Sequence, residues 1–230
     1  MKIGSSLWAI LALCGCAALL PAPTVAQQGA VLSSLPDRID SAGRYVFYLH
    51  GRIIEEAGRR PTHPRFGVYE YDEILQELAR TGATVVSEQR ARGTVVRDAA
   101  RGTAGQVRKL LDAGVDPKHV VVVGFSKGGW IAVHTSDLLD APIRYVFLAA
   151  CGPGILGDEG LQVRGSVLSI FEESDPIGVS CGPLFARSPQ LGEKREVEIR
   201  TGLGHGAFYR PIAEWVDPVR TWILGDSGTP

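Results

Sequence analysis

The chain has 230 residues, of which 45% are hydrophobic and 21% charged, and its formal net charge is −1. That composition supplies one large apolar core and excludes the disordered and low-complexity classes. The balanced charge, with no basic stripe carrying interleaved aromatics, excludes nucleic acid as a partner.

Met1 and Lys2 precede an apolar run from Leu7 to Leu20, followed by Pro21-Ala22-Pro23-Thr24-Val25-Ala26. A basic start, a short apolar stretch and small residues before a cleavage point predict a secretory signal peptide over residues 1–26. A membrane anchor is the competing reading, but the run is short for a span and is broken by prolines. A second alternative is lipidation at Cys16, because Leu13-Cys14-Gly15-Cys16 loosely fits a lipoprotein box. The mature chain is therefore expected in the periplasm or secreted, with no membrane span after removal of the signal. Cleavage removes Lys2 alone among the charges and leaves a net charge of −2. Cys151 and Cys181 remain, and an even pair in an exported chain points to a disulfide. Two isolated cysteines without clustered histidines make no metal site.

Residues 27–43 read as a leader segment with one edge strand, and residues 44–230 as a single domain. From Arg44 onward two periodicities alternate. Tyr45–Leu49 is a buried-type strand, and Tyr71, Ile74, Leu75 and Leu78 recur at helical spacing over 69–81. Ala83–Ser87 is the next strand. A helix over 96–113 presents Ala104, Val107 and Leu111 and stops at Gly114. Val120–Gly124 is a strand followed by a helix over 127–139. Further strands are expected at Ile143–Ala149, Ser166–Phe171 and Arg195–Arg200. Near the C-terminus Pro218 interrupts an apolar stripe, and Asp217-Pro218 makes a good N-cap and first-turn pair, which predicts two short helices. Strand and helix in regular alternation imply an α/β fold: a mainly parallel central sheet with helices on both faces. Reactive residues then collect in the loops at the strands' C-terminal edge.

The most informative stretch is His119–Trp130. Four valines run into Gly124-Phe125-Ser126-Lys127-Gly128, and Gly129 opens an apolar helical segment. A serine held on a strained turn between strand and helix leaves no room for side chains two residues before or after it. The hydroxyl stands clear of the backbone beside a helix N-terminus. A bare G-x-S-x-G is also compatible with a glycine-rich turn; the strand before it and the helix after it favour a nucleophile.

A serine needs a base. Of five histidines, His119 precedes its strand and His134 lies in mid-helix, whereas His205 sits in Gly202-Leu203-Gly204-His205-Gly206, after the last strand and before the final helices. The base needs a carboxylate. Asp175, ahead of Pro176 in the segment after Ser166–Phe171, is the first choice and Glu173 the reserve; Glu172 and Glu173 read equally well as a solvated strand end.

From Tyr45 to Leu224 the chain resembles the α/β-hydrolase fold, whose triad runs in the order Ser, acid, His. His50-Gly51 resembles the family's oxyanion-loop dipeptide. Ser87–Thr94 resembles the segment usually read D-x-R-G-x-G, with Glu88 in place of the commoner aspartate, and Asp217–Trp222 resembles the last helix. The resemblance implies a catalytic Ser126, Asp175 and His205. It also implies an oxyanion hole from the backbone N–H groups of Lys127 and Arg52, with His50 and Gly51 organising the loop. No cofactor is expected. The connection from Cys151 to Arg164 is too short for the cap domain that many relatives insert, which implies an open cleft. A Cys151–Cys181 bridge would hold the Asp175 loop against its neighbour.

Two charged features are open at this stage. The Lys127 side chain either favours anionic substrates or extends into solvent, and solvent is the expectation. Residues 52–66 read as a long loop whose Arg52, Arg59, Arg60 and Arg65, with Arg90 and Arg92, form either a cationic wall for an anionic substrate group or a self-neutralising surface; Glu55 and Glu56 favour the second. The function expected is an exported serine hydrolase acting on small carboxylic esters, an esterase or a dienelactone-hydrolase-like enzyme without a cap. The alternatives are a serine peptidase or acyltransferase on the same triad, or an idle periplasmic binding protein.

Overall fold

The four valines ahead of the serine divide between the two faces of a sheet, Val121 and Val123 into one apolar cluster and Val120 and Val122 into the other. The same period of two splits Val46 and Tyr48 from Tyr45 and Phe47. A strand buried on both sides carries no polar residue on either, which is why it reads as a continuous apolar run.

The computed structural model describes residues 28–225; the expected signal peptide over 1–26 and the alternative anchor at Cys16 lie outside them. In chain order the elements are β1 (Val31–Leu32), β2 (Tyr45–Leu49), α1 (Arg52–Ala57), β3 (Thr62–His63), β4 (Gly67–Val68), α2 (Tyr71–Ala79) and β5 (Thr84–Val86). They continue with α3 (Val96–Asp112), β6 (Val120–Phe125), α4 (Lys127–Leu138), β7 (Arg144–Leu148), α5 (Pro153–Leu156) and β8 (Gly165–Glu172). The last are α6 (Gly182–Ala186), β9 (Leu191–Ile199) and α7 (Ala213–Leu224), with 3-10 turns at Pro117–His119 and Gly204–Tyr209.

Seven strands form one sheet in the order β1-β5-β2-β6-β7-β8-β9, and every pairing in it is parallel. Their C-terminal ends therefore share one edge. Tyr71, Leu75, Leu78, Trp215, Val219 and Ile223 of α2 and α7 cover one face, and Ala104, Val107, Ala132 and Val133 of α3 and α4 cover the other. Helices lie on both faces, as the alternation implies. The leader strand β1 closes one side of the sheet through Val31 and Leu32 against Val85 and Val86. At the opposite side, β9 carries Glu193, Lys194, Arg195, Glu196 and Glu198, charges that blunt an unpaired edge.

Four expectations are corrected. Residues 52–66 are not a long loop: α1 buries Ile54 and Glu55, and β3 and β4 form a small antiparallel hairpin. The segment is too short for periodicity to reveal either. In α3 it is Leu110 that is buried, with Leu111 at the flank. The last sheet strand starts at Leu191, because β8 offers partners back to Gly165 through a bulge. Finally, α7 is one helix with Pro218 inside it. Proline removes a single bond there, to the carbonyl of the exposed Glu214, which water can reach, so the helix continues.

Candidate active site

Ser126 joins β6 to α4 with φ 54° and ψ −119°, a left-handed conformation that costs energy in any residue but glycine. Its N–H donates to the Leu148 carbonyl at 3.0 Å, which anchors the turn to β7. The glycines around it are sterically required. A Cβ on Gly124 would stand 2.3 Å from the Gly128 carbonyl oxygen, and one on Gly128 would stand 1.8 Å from that of Leu49. α4 can start this close to β2 only without those side chains.

His205 lies in the 3-10 turn after β9, buried, with the Phe125 ring centroid at 4.8 Å and that of Phe66 at 5.8 Å. Its Nδ1 is 2.7 Å from Asp175 Oδ2 and its Nε2 is 2.9 Å from Ser126 Oγ. An ionised carboxylate accepts only, so Nδ1 carries the proton and Nε2 presents a lone pair to the serine hydroxyl. Asp175 Oδ1 accepts the Ile177 N–H at 2.9 Å, which fixes the carboxylate plane. The reserve acid, Glu173, is exposed and faces Arg200 at 3.6 Å.

Glu172, read from the sequence as a strand end, is buried and bridges the loops that carry Asp175 and His205. One oxygen accepts from the Ser174 amide and hydroxyl, at 2.7 and 2.6 Å. The other accepts the amides of Thr201 and Gly202, at 3.0 and 2.9 Å. Burial works against its charge, but the Ser174 hydroxyl and the three amides outweigh it and hold the carboxyl below the usual range. Only the partner residues beyond β9 distinguish it from a solvated glutamate.

The second wall of the site comes from the turn after β2. His50 is fully buried; its Nε2 accepts the Arg90 amide at 2.9 Å, which leaves the proton on Nδ1 for the Gly51 carbonyl at 2.9 Å. Burial, with the Arg90 charge beside it, pushes the imidazole down to about 3, so the ring is neutral. Beneath this turn the Tyr69 hydroxyl lies 2.7 Å from that of Tyr48, and both rings are fully buried. Arg52 and Lys127 are the first residues of α1 and α4, so neither amide has an acceptor within its helix. Both residues line the same cleft as Ser126 and His205.

That cleft encloses about 420 Å³ between Ile53, Phe66, Trp130, Ile177 and Tyr209. It is open, and among the described residues no inserted domain covers it. The cationic wall is largely neutralised: Arg59 pairs with Asp72, Arg60 with Glu73 and Arg90 with Glu55. Arg92 donates to the Glu56 carbonyl. The Lys127 side chain is a correction. It is buried and ion-paired with Glu55, not extended into solvent.

Cys151 and Cys181 are disulfide-bonded, with Cα atoms 5.3 Å apart. The Val179 amide also donates to the Cys151 carbonyl at 2.7 Å, so the segment following Asp175 is fastened to the end of β7 twice. No group of three metal-ligating side chains occurs among the described residues, and no helix among them is long and apolar enough to cross a membrane.

The arrangement defines an α/β-hydrolase fold, and solved structures agree. A predicted CIB-like hydrolase from Thermoplasma acidophilum superposes with a TM-score of 0.55 at 15% identity, over 82% of this chain and 89% of that one. An esterase from Pyrobaculum calidifontis gives 0.52 at 22% identity, over 82% and 78%. One from Pyrococcus furiosus gives 0.51 at 16%, over 79% and 82%. No family model matches the chain, and no curated protein matches it in sequence.

Proposed function

We propose that the chain is an exported serine hydrolase that cleaves small carboxylic esters through an acyl-enzyme. The observation carrying this reading is the unbroken hydrogen-bonded line from the Ser126 hydroxyl through His205 to Asp175. In this reading His205 Nε2 takes the serine proton as Oγ attacks the ester carbonyl, and Asp175 stabilises the imidazolium. The amides of Arg52 and Lys127 receive the developing oxyanion, each contributing about 3 kcal/mol by mutational precedent. His205 then returns its proton to the leaving alkoxide. Water repeats the sequence on the acyl-enzyme and releases the acid. No metal or cofactor enters these steps.

Esters are favoured over peptides as substrates because a shallow, uncapped cleft gives little binding energy with which to distort an amide. The esterases among the solved structures of this fold support the same class. Export is supported by the N-terminal sequence and by a disulfide, which persists in oxidising compartments.

A fluorophosphonate probe tests the reading directly. Mature wild-type protein is expected to label at Ser126 and to hydrolyse p-nitrophenyl acetate. Ser126→Ala is expected to abolish labelling and to lower kcat by about 10⁵-fold. A wild type that neither labels nor turns over at neutral pH would indicate an idle binding protein instead.

A further inference from the structure

We propose that Glu55 and the side chain of Lys127 form an ionic clamp that sets the separation of the two oxyanion-hole amides. Glu55 is thereby a positioning residue for ester hydrolysis. The inference rests on the hydrolase reading above and deepens it.

The two amides belong to elements that diverge. β2 and β6 are paired up to Leu49 and Gly124, and beyond that register each strand turns into its own helix. Arg52 opens α1 and Lys127 opens α4, so no strand pairing fixes the distance between their N–H groups. Glu55 sits one helical turn after Arg52, and its side chain is 1% exposed. The Lys127 ammonium reaches back across the gap to Glu55 Oε2. The residue offering one amide is thus tied by its own side chain to the helix offering the other.

Arg90 completes the unit. Its Nε donates to Glu55 Oε1 at 2.9 Å, its guanidinium donates to the His50 carbonyl, and its amide donates to His50 Nε2. With Arg90 on both the ring and the carbonyl of His50, and the Gly51 carbonyl accepting from His50 Nδ1, residues 50 and 51 are held in place. Arg52 follows them as the first residue of α1, so its amide has no acceptor within the helix, and the residue lines the cleft.

Stability alone is a poor reason for this arrangement. Removing three charges from water is costly, and apolar residues of similar volume hold a fold as well or better. What an ionic unit adds is a defined geometry, and oxyanion stabilisation depends on geometry at the scale of tenths of an ångström.

The test compares Lys127→Met, Lys127→Arg, Glu55→Gln and the double variant Glu55→Gln/Lys127→Met with wild type. The substrate is p-nitrophenyl acetate, and the inhibitor is an aryl trifluoromethyl ketone whose serine adduct places an oxyanion in the hole. Lys127→Met is expected to lower kcat by about 10-fold to 100-fold, less than the loss of a whole donor. KM should stay within about threefold, and the ketone should bind more weakly by a factor similar to the loss in kcat. Glu55→Gln should behave alike, the double variant should be no worse than the poorer single one, and Lys127→Arg should recover most of the loss. If Glu55→Gln does not accumulate as folded protein, Lys127→Met carries the test, since Glu55 keeps Arg90 as a partner in it. Should kcat and ketone affinity in Lys127→Met stay within about twofold of wild type while Tm falls, the pair is structural and the clamp is refuted. A wild type without turnover or fluorophosphonate labelling is a separate outcome; it overturns the hydrolase reading and this inference with it.

Discussion

Two buried groups near the site, Glu172 and His50, sit in different charge states for different reasons. Glu172 is kept ionised by donors from two loops, and His50 is kept neutral by burial and by Arg90. Their effects on stability differ in pH window. For His50 the folded value near 3 lies below the ordinary 6.5, so its contribution is complete above pH 6.5 and falls as pH drops toward 3. For Glu172 the folded value lies below the ordinary 4.5, so its contribution is complete above that pH and is lost progressively as pH falls from there through the lower value. Tm should therefore converge between wild type and His50→Asn from pH 6.5 downward. The gap to Glu172→Gln should hold to about pH 4.5 and narrow below it, a pattern that thermal melts across pH 3–8 would check. That Ser126, Asp175 and His205 stand together at one edge could be expected from the sequence because each follows a strand amid glycine or proline, where the signal is local. The bridging by Glu172 could not, because it depends on Thr201 and Gly202, on the far side of β9.

At the scale of elements, the segment from Asp175 to Cys181 has almost no regular structure of its own and is held by its attachments. The disulfide spans a sequence separation of 30, and an entropic estimate for that loop gives about 3–4 kcal/mol. Replacing both cysteines by alanine is expected to lower the unfolding free energy in urea by about that amount. kcat toward p-nitrophenyl acetate should fall by about 10-fold or more, because Asp175 loses its brace. An unchanged kcat beside a lowered stability would show that the Val179–Cys151 contact suffices to hold the acid. α2, α3 and β6 were legible from period and flanking signals. α1 and the β3–β4 hairpin were not, since six and two residues are too few to show a period. Pro218 reads in the sequence as a break, but the carbonyl it leaves unpaired belongs to the exposed Glu214, so the helix runs on.

At the scale of the molecule, a parallel sheet carries Ser126, Asp175 and His205 on loops at one edge, and among the described residues nothing is folded over them. An open cleft of about 420 Å³ should favour short acyl groups, and a p-nitrophenyl ester series is expected to peak at two to four carbons. A clear optimum at long chains would contradict this. The sequence by itself determined the fold class, the strained serine turn and the placing of Ser126, Asp175 and His205 in loops that follow strands. These follow from backbone sterics and from side-chain periods that act over a few residues. Only the tertiary structure decided that Lys127 turns inward, that Glu172 locks two loops together, and that the arginines after β2 are mostly spent on neighbours. Those outcomes depend on charges meeting across long separations, such as the 72 residues between Glu55 and Lys127. Such meetings are fixed by how the strands pack, and no local pattern encodes them.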